Sequence, residues 1–256
     1  MKLNDNFSEY KLSYKSKLIL GDSLHVMSKM RDNTYDLIVA DPPYFLSNNG
    51  ITCNSGKMVS VNKGSWDKES SNSYFFNEYW IGECKRILKD GGAMWIFGTM
   101  HNIYDIGSII KNTKGLKILN NITWVKKAPP PNLSCRYFTH STETILWVRK
   151  GVKSKHYFNY ELMKSFNDNK QMKDVWVLGR PLKKEKEFGK HPTQKPEELI
   201  TRIIQSSTKK YDSVLDPFCG SGTVGAVCAK EYRKFTGIDN DSKFINLSKK
   251  RLKKLL

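Results

Sequence analysis

The chain has 256 residues, 39% hydrophobic and 27% charged, a globular composition that excludes a wholly disordered protein. That length suits one large α/β domain whose core needs neither disulfides nor structural metal. Lys plus Arg exceed Asp plus Glu by 43 − 25 = 18, which points to a polyanion or an acidic membrane surface as partner. No apolar run approaches the ~20 residues of a membrane span, and the polar, mixed-charge start does not read as a signal peptide. Five scattered cysteines without metal-ligand spacing read as reduced thiols, so the cytoplasm is the expected location.

From the N-terminus onward, short apolar runs alternate with helix-like stretches, the signature of a mostly parallel sheet covered by helices. Residues 18–20 and 35–40 read as strands, the second running into Asp41-Pro42-Pro43-Tyr44. Residues 45–73, rich in Ser, Asn, Gly and Lys, are too long for an ordinary connection and read as a functional or mobile loop. A helix is expected over 79–88, a buried strand over 93–97, and two more strands over 117–125 and 143–149.

Residues 149–190 hold twelve Lys or Arg against five Asp or Glu, interleaved with Tyr157, Phe158, Tyr160, Phe166 and Trp176. They read as a basic, DNA-contacting insertion within a single domain over 1–256. Leu199, Ile200, Ile203 and Ile204 at helical spacing predict a helix over 197–206. A strand at 213–215 then enters a glycine turn, followed by a helix over 224–230 and a strand over 235–238 that ends at Asp239. The basic residues of 249–254 read as a solvated helix face. His25, His101, His140 and His156 lack a second ligand at metal spacing, so no metal is expected.

Two constellations carry chemistry. In the segment 215–223, a strand end, Gly220 and Gly222, and a helix start combine; the glycines admit close approach and the helix offers free N–H donors. Asp239, nineteen residues after Gly220, stands where a carboxylate accepts both ribose hydroxyls of a nucleoside. A phosphate-binding loop is disfavoured, because no Lys-Ser/Thr follows the glycines. In Asp41-Pro42-Pro43-Tyr44, the prolines leave carbonyls free of ladder bonding, and these with the Asp41 carboxylate can accept hydrogen bonds from an exocyclic NH2. Accepting those N–H bonds concentrates electron density on the nitrogen as a methyl cation equivalent arrives, and Tyr44 can stack on the same base. Either motif read alone is also compatible with a plain turn after a strand.

Together, in this order and with a basic region between them, the two motifs resemble the β class of DNA amino-methyltransferases that use S-adenosylmethionine. Residues 190–197, with Thr193 and Lys195, match that family's motif before the cofactor helix, and 21–24 match its short acidic motif, whose carboxylate (Asp22 here) contacts the cofactor's adenine. The resemblance thus assigns the cofactor to Asp22, Thr193, Lys195, Asp216, Phe218, Gly220, Ser221, Gly222, Thr223 and Asp239, and catalysis to Asp41, Pro42, Pro43 and Tyr44. Residues 45–52, 59–67 and 131–139 are similar to DpnA-like adenine methyltransferases of GATC restriction–modification systems. One departure is Val224, where the family usually has a second Thr after Gly-Thr.

The resemblance implies methyl transfer to adenine N6 in DNA, within GATC, with the base flipped out of the stack. It implies a twisted Rossmann-like sheet with helices on both faces and an antiparallel edge hairpin, entered in permuted order, target-base half first and cofactor half last. DNA is the expected partner, contacted by Asn132, Arg136, Lys183, Lys184 and Lys186, with Arg136 suited to bidentate pairing on guanine O6 and N7. A cognate endonuclease at the same site and a homodimer are further expectations. Two rivals are a cytosine-N4 methyltransferase, in which Ser more often replaces Asp41, and a basic nucleic-acid-binding protein with a degenerate transferase site.

Overall fold

The computed structural model describes residues 7–45, 51–54, 57–60, 73–151 and 153–256. The loop expected at 45–73 lies outside them, apart from its two ends and an antiparallel hairpin of β4 (Ile51–Asn54) and β5 (Lys57–Ser60).

The chain enters through β1 (Ser8–Lys11), β2 (Ser16–Leu20), α1 (Ser23–Ser28) and β3 (Tyr35–Ala40). After the hairpin come α2 (Ser73–Ile87), β6 (Leu88–Gly98), α3 (Ile103–Asn112), β7 (Leu116–Lys126) and β8 (Thr142–Lys150). Then follow α4 (Tyr160–Ser165), β9 (Val175–Leu178), α5 (Glu197–Ser207), β10 (Ser213–Asp216), α6 (Thr223–Lys230), β11 (Lys234–Asp239) and α7 (Ser242–Lys253). Nine strands form one sheet in the order β1-β2-β11-β10-β3-β6-β8-β7-β9. The neighbours from β2 to β6 pair in parallel; β8 runs antiparallel between β6 and β7, and β1 antiparallel on β2.

Apolar residues on both sides of the central strands explain why helices cover both faces. In β3, Leu37 and Val39 point to one core and Ile38 and Ala40 to the other, because successive side chains alternate across a strand. The Ile38 face packs on Val26 and Met27 of α1, Trp80 and Ile81 of α2 and Ile106 and Ile110 of α3. The Leu37 face packs on the 199, 200, 203, 204 stripe of α5, with Val224 and Val227 of α6 and Ile245 of α7. Cys84, Cys219 and Cys228 are free and buried, whereas Cys135 is free and exposed.

Two segments differ from the sequence reading. Helix α2 begins at Ser73 rather than 79, because its first turns expose Tyr74 and Phe75, so no apolar stripe announces them. The 149–190 segment supplies β9, which pairs in parallel with β7 and covers the β7–β8 hairpin as the outermost strand. Trp176 of β9 is buried, its ring 5.8 Å from Trp95, with the Arg202 guanidinium 5.0 Å away. Trp176 therefore belongs to the core and not to a nucleic-acid surface. No helix among the described residues is long and apolar enough to cross a membrane.

Truncating this anchor should leave a cavity beside Trp95. Trp176→Ala is expected to cost about 3–5 kcal/mol in urea unfolding; a loss below about 1 kcal/mol would show that β9 is not held by its core side chains.

Candidate active site

Strands β3 and β10 lie side by side, Val214 opposite Leu37 and Leu215 opposite Ile38. Their onward connections diverge, β3 toward β6 and β10 toward β11, which leaves a crevice beyond their carboxyl ends. Asp41 to Tyr44 follow β3, the glycine turn follows β10, Asp239 ends β11 and Asp22 follows β2, so the sequence motifs meet at one end of the sheet. A cleft there, with about 380 Å³ of open space, is lined by Asp41, Phe97, Lys195, Asp216, Phe218 and Gly220 among others.

At its centre is a charged network. The Tyr44 hydroxyl donates to Asp41 Oδ1 at 2.8 Å, and the Lys195 ammonium donates to Asp41 Oδ2 at 2.7 Å. Lys195 Nζ also lies 3.4 Å from Glu143 Oε2 on β8, whose other oxygen, Oε1, sits 2.8 Å from Lys126 Nζ at the end of β7. Lys195 and Glu143 are both nearly inaccessible, with side chains 7% and 11% exposed. Burial works against the Lys195 charge, yet Asp41 and Glu143 outweigh it and hold its pKa above the ordinary lysine value. Burial likewise opposes the Glu143 charge, but Lys195 and Lys126 keep that carboxyl below the ordinary range. Neither Glu143 nor Lys126 was indicated by the sequence motifs.

The glycine turn is braced from the protein side. Gly220 and Gly222 adopt φ of +45° and +71°, and a Cβ on Gly222 would lie 2.7 Å from Ser248 Oγ of α7. Ser248 donates to the Gly220 carbonyl at 2.8 Å. Arg251, expected on a solvated face, is buried instead and donates to the Ser221 carbonyl, Thr223 Oγ1 and Glu197 Oε1. These contacts occupy the Gly220 and Ser221 carbonyls and the Thr223 hydroxyl, while Gly222 caps α6 without a side-chain bond, so the first N–H groups of that helix have no side-chain cap. Phe218 packs edge-on against Trp80, 5.8 Å between ring centroids.

Asp239 Oδ2 accepts the Gly220 N–H at 2.8 Å and Oδ1 accepts the Asp241 N–H at 2.9 Å. Burial raises its pKa to about 6, against the pull of those two N–H donors. Asp216, more deeply buried, is also raised, by burial and then by the charges of Asp41 and Asp239, although the Phe218 N–H opposes the shift. Asp22 is exposed and caps α1 by accepting from the His25 N–H; next to it, Ser23 donates to the Pro217 carbonyl and ties α1 to the glycine motif. Thr193 is half-buried beside His191, and Gln194 lines the cleft with an Oε1 that has no partner among the described residues.

The residues expected to meet DNA lie outside this network. Arg136 is exposed on the 128–141 connection. Asn132 shapes that connection, donating to the Tyr137 carbonyl at 2.6 Å and accepting from the Ser134 N–H. Lys183 and Lys184 are exposed and Lys186 half-buried on a 3-10 turn, Lys183–Lys186. Glu185 fastens that turn to the start of α5 by accepting the Glu197 N–H at 2.9 Å.

Comparison with known proteins identifies the family. The DNA methylase family, covering N6 and N4 methyltransferases, matches residues 35–250. The chain is 55% identical over 240 residues to the type II methyltransferase M2.LlaDCHI of Lactococcus lactis subsp. cremoris, covering 93% of this chain and 89% of the relative. It is also 55% identical over 243 residues to M2.DpnII of Streptococcus pneumoniae, covering 93% and 90% respectively. The crystal structure of the M1.HpyAVI–SAM complex is similar with a TM-score of 0.69 at 27% identity, over 93% of this chain and 98% of that one. The PvuII cytosine-N4 methyltransferase shares the fold, TM-score 0.74 at 17% identity, over 96% and 90%. With its fold, its two motif-bearing turns and these relatives in agreement, the chain belongs to the DNA methylase family of S-adenosylmethionine-dependent, site-specific DNA methyltransferases.

Proposed function

We propose that the protein methylates the N6 of adenine in DNA, within GATC, as the modification partner of a nuclease that cuts the same site. The observation that carries this reading is that Asp41, which accepts from the Tyr44 hydroxyl, lines the β3–β10 crevice together with the glycine turn. Asp41 favours adenine over cytosine, and the type II relatives favour pairing with a nuclease. GATC rests on the likeness of segments 45–52, 59–67 and 131–139 to GATC enzymes; the first two lie largely outside the described residues.

The cleft suits S-adenosylmethionine. The N–H groups of the first α6 turn beyond Gly222, which lack a side-chain cap, the Asp239 carboxylate beside the glycine turn, the wall of Phe218 and the unpartnered Gln194 Oε1 supply donors, acceptors and an apolar face. When bound, the cofactor supplies an electrophilic methyl group. Asp239 would accept the ribose hydroxyls and Asp22 would contact the adenine. Gly220, Ser221, Gly222 and Thr223 would form the floor, with Asp216 and Thr193 beside it. Asp41 and the Pro42 and Pro43 carbonyls would accept the amine's N–H bonds, raising electron density on nitrogen as the methyl group arrives. No covalent enzyme–base intermediate is required, because the exocyclic amine is itself the nucleophile. Tyr44 would hold the flipped base.

Ionised Asp239 is the better acceptor, and its folded pKa is about 6. Affinity for S-adenosylmethionine should therefore weaken as pH falls through about 6, by up to about tenfold per unit well below it. For folding the sign is opposite: a carboxyl raised above its unfolded value opposes folding when ionised, and this cost disappears toward acid pH. Calorimetric titration between roughly pH 5 and 8 reads the affinity. Asp239→Asn should bind more weakly and lose the acid limb; an unchanged limb would remove Asp239 from the cofactor.

Turnover tests the target half. Asp41→Ala should abolish methylation while cofactor affinity stays within about threefold of the parent. Mass spectrometry of oligonucleotides carrying GATC and each single-base variant should find N6-methyladenine in GATC alone. Arg136→Ala should relax selection at the guanine by about 1–3 kcal/mol. Modified cytosine, or indifference to GATC, would overturn the specificity; unchanged discrimination by the variant would overturn only the role of Arg136.

A further inference from the structure

We propose that Glu143 is a positioning residue for methyl transfer: backed by Lys126, it holds the Lys195 ammonium on Asp41, so that the catalytic carboxylate faces the amine in one orientation. This rests on the reading of Asp41 as the amine's acceptor. The network alternates in sign, Asp41, Lys195, Glu143, Lys126; Glu143 Oε1 is in close contact with Lys126, while Oε2, which makes no hydrogen bond among the described residues, faces the Lys195 ammonium at ion-pair distance. Lys195 touches Asp41 most closely, at 2.7 Å, and lies 3.4 Å from both Glu143 Oε2 and the Tyr44 hydroxyl and 3.5 Å from the Thr193 carbonyl.

Strand order explains why a second carboxylate is needed. Asp41 follows β3, and Asp216 ends β10 on one side of it while Glu143 stands on β8 on the other. A lysine on a flexible four-carbon stem in this cleft is attracted by Asp216 as well as by Asp41, and the Asp216 carboxyl senses its charge. Glu143 draws the ammonium away from the β10 side. The contact then fixes Asp41 Oδ2, and the Tyr44 hydroxyl fixes Oδ1. Rotation of the carboxylate is blocked from both ends, and the remaining lone pairs of both oxygens are left for the amine. Lys195 in this arrangement acts on Asp41 rather than on the cofactor.

The test is Glu143→Gln, which keeps shape and removes charge. Turnover should fall roughly ten- to hundredfold while the KM for DNA and the affinity for S-adenosylmethionine stay within about threefold. The groups facing Lys195 are Asp41, Tyr44, Glu143 and Asp216, with Lys126 behind Glu143. Losing one of two carboxylates that raise Lys195 should move the alkaline limb of kcat to lower pH. Glu143→Asp should recover part of the turnover and the parental alkaline limb, which a merely structural role would not do. Should Glu143→Gln fail to give a cooperative thermal transition, Glu143→Asp alone carries the test, through reduced kcat at parental affinity. Parental kcat with an unmoved limb overturns the proposal, as does a loss of cofactor affinity that matches the loss of kcat. Asp41→Ala measured alongside separates the two readings. Its retained turnover would overturn the assignment of Asp41 itself, whereas an inactive Asp41→Ala beside a fully active Glu143→Gln would overturn the role of Glu143 only.

Discussion

Strands β3 and β10 hydrogen-bond side by side, yet the chain leaves them in opposite directions, and a gap must open where the connections part. Residues 175 positions apart in sequence, Asp41 and Asp216, thereby face the same space. Because both strands are buried on both faces, neither can slip in register without moving apolar side chains out of a core. The crevice is therefore as rigid as the sheet. Each motif is attached to a strand end, which a close-packed interior holds more firmly than a loop.

Charge is distributed unevenly around that crevice. The chain carries an excess of 18 positive charges, but Asp41 and Asp216 line the cleft and Asp239 stands behind its glycine turn, accepting the Gly220 N–H. Burial and mutual repulsion raise Asp216, and burial raises Asp239, which is the cost of placing carboxylates together away from water. Under the proposed function the arrangement has a purpose at each level. A cationic sulfonium donor is favoured by an acidic floor, and a polyanion is favoured by exposed lysines such as Lys183 and Lys184 outside it. The glycine turn adds donors without adding charge.

The strands and the motif-bearing turns were legible because an apolar run followed by Asp-Pro or by glycines signals a buried strand and a sharp turn locally. The helix α5 was legible from four apolar residues at helical spacing, all of them buried. The network was not. Glu143 and Lys126 sit near strand ends, where a charged side chain ordinarily reaches water, and no spacing shows that Lys195, 52 residues beyond Glu143, returns to meet them. Arg251 and Trp176 were misread for a related reason. Composition cannot tell a basic residue that braces a turn from one that faces solvent, nor a core tryptophan from a base-stacking one. In each case the deciding fact is which element lies opposite, a property of the sheet and not of the segment.

Burying an ammonium between two carboxylates is seldom a route to stability. Desolvation of the three groups offsets most of their attraction, and apolar side chains of similar volume would pack there at less cost. What the ions provide is orientation. An apolar cluster would leave Asp41 free to turn about its side-chain torsions, whereas two partners, one on each oxygen, select a single rotamer. Lysine suits the position because its compact ammonium can serve Asp41, Glu143 and the Tyr44 hydroxyl from one point, in a space bounded by the rings of Phe97 and Tyr44 at 5.1 and 5.5 Å. The same rings shield the ammonium side of the ion pair, while Asp41 stays partly exposed to the cleft. Rigid backbone positions the motif, and the buried charges then set the side-chain torsions that the backbone leaves free.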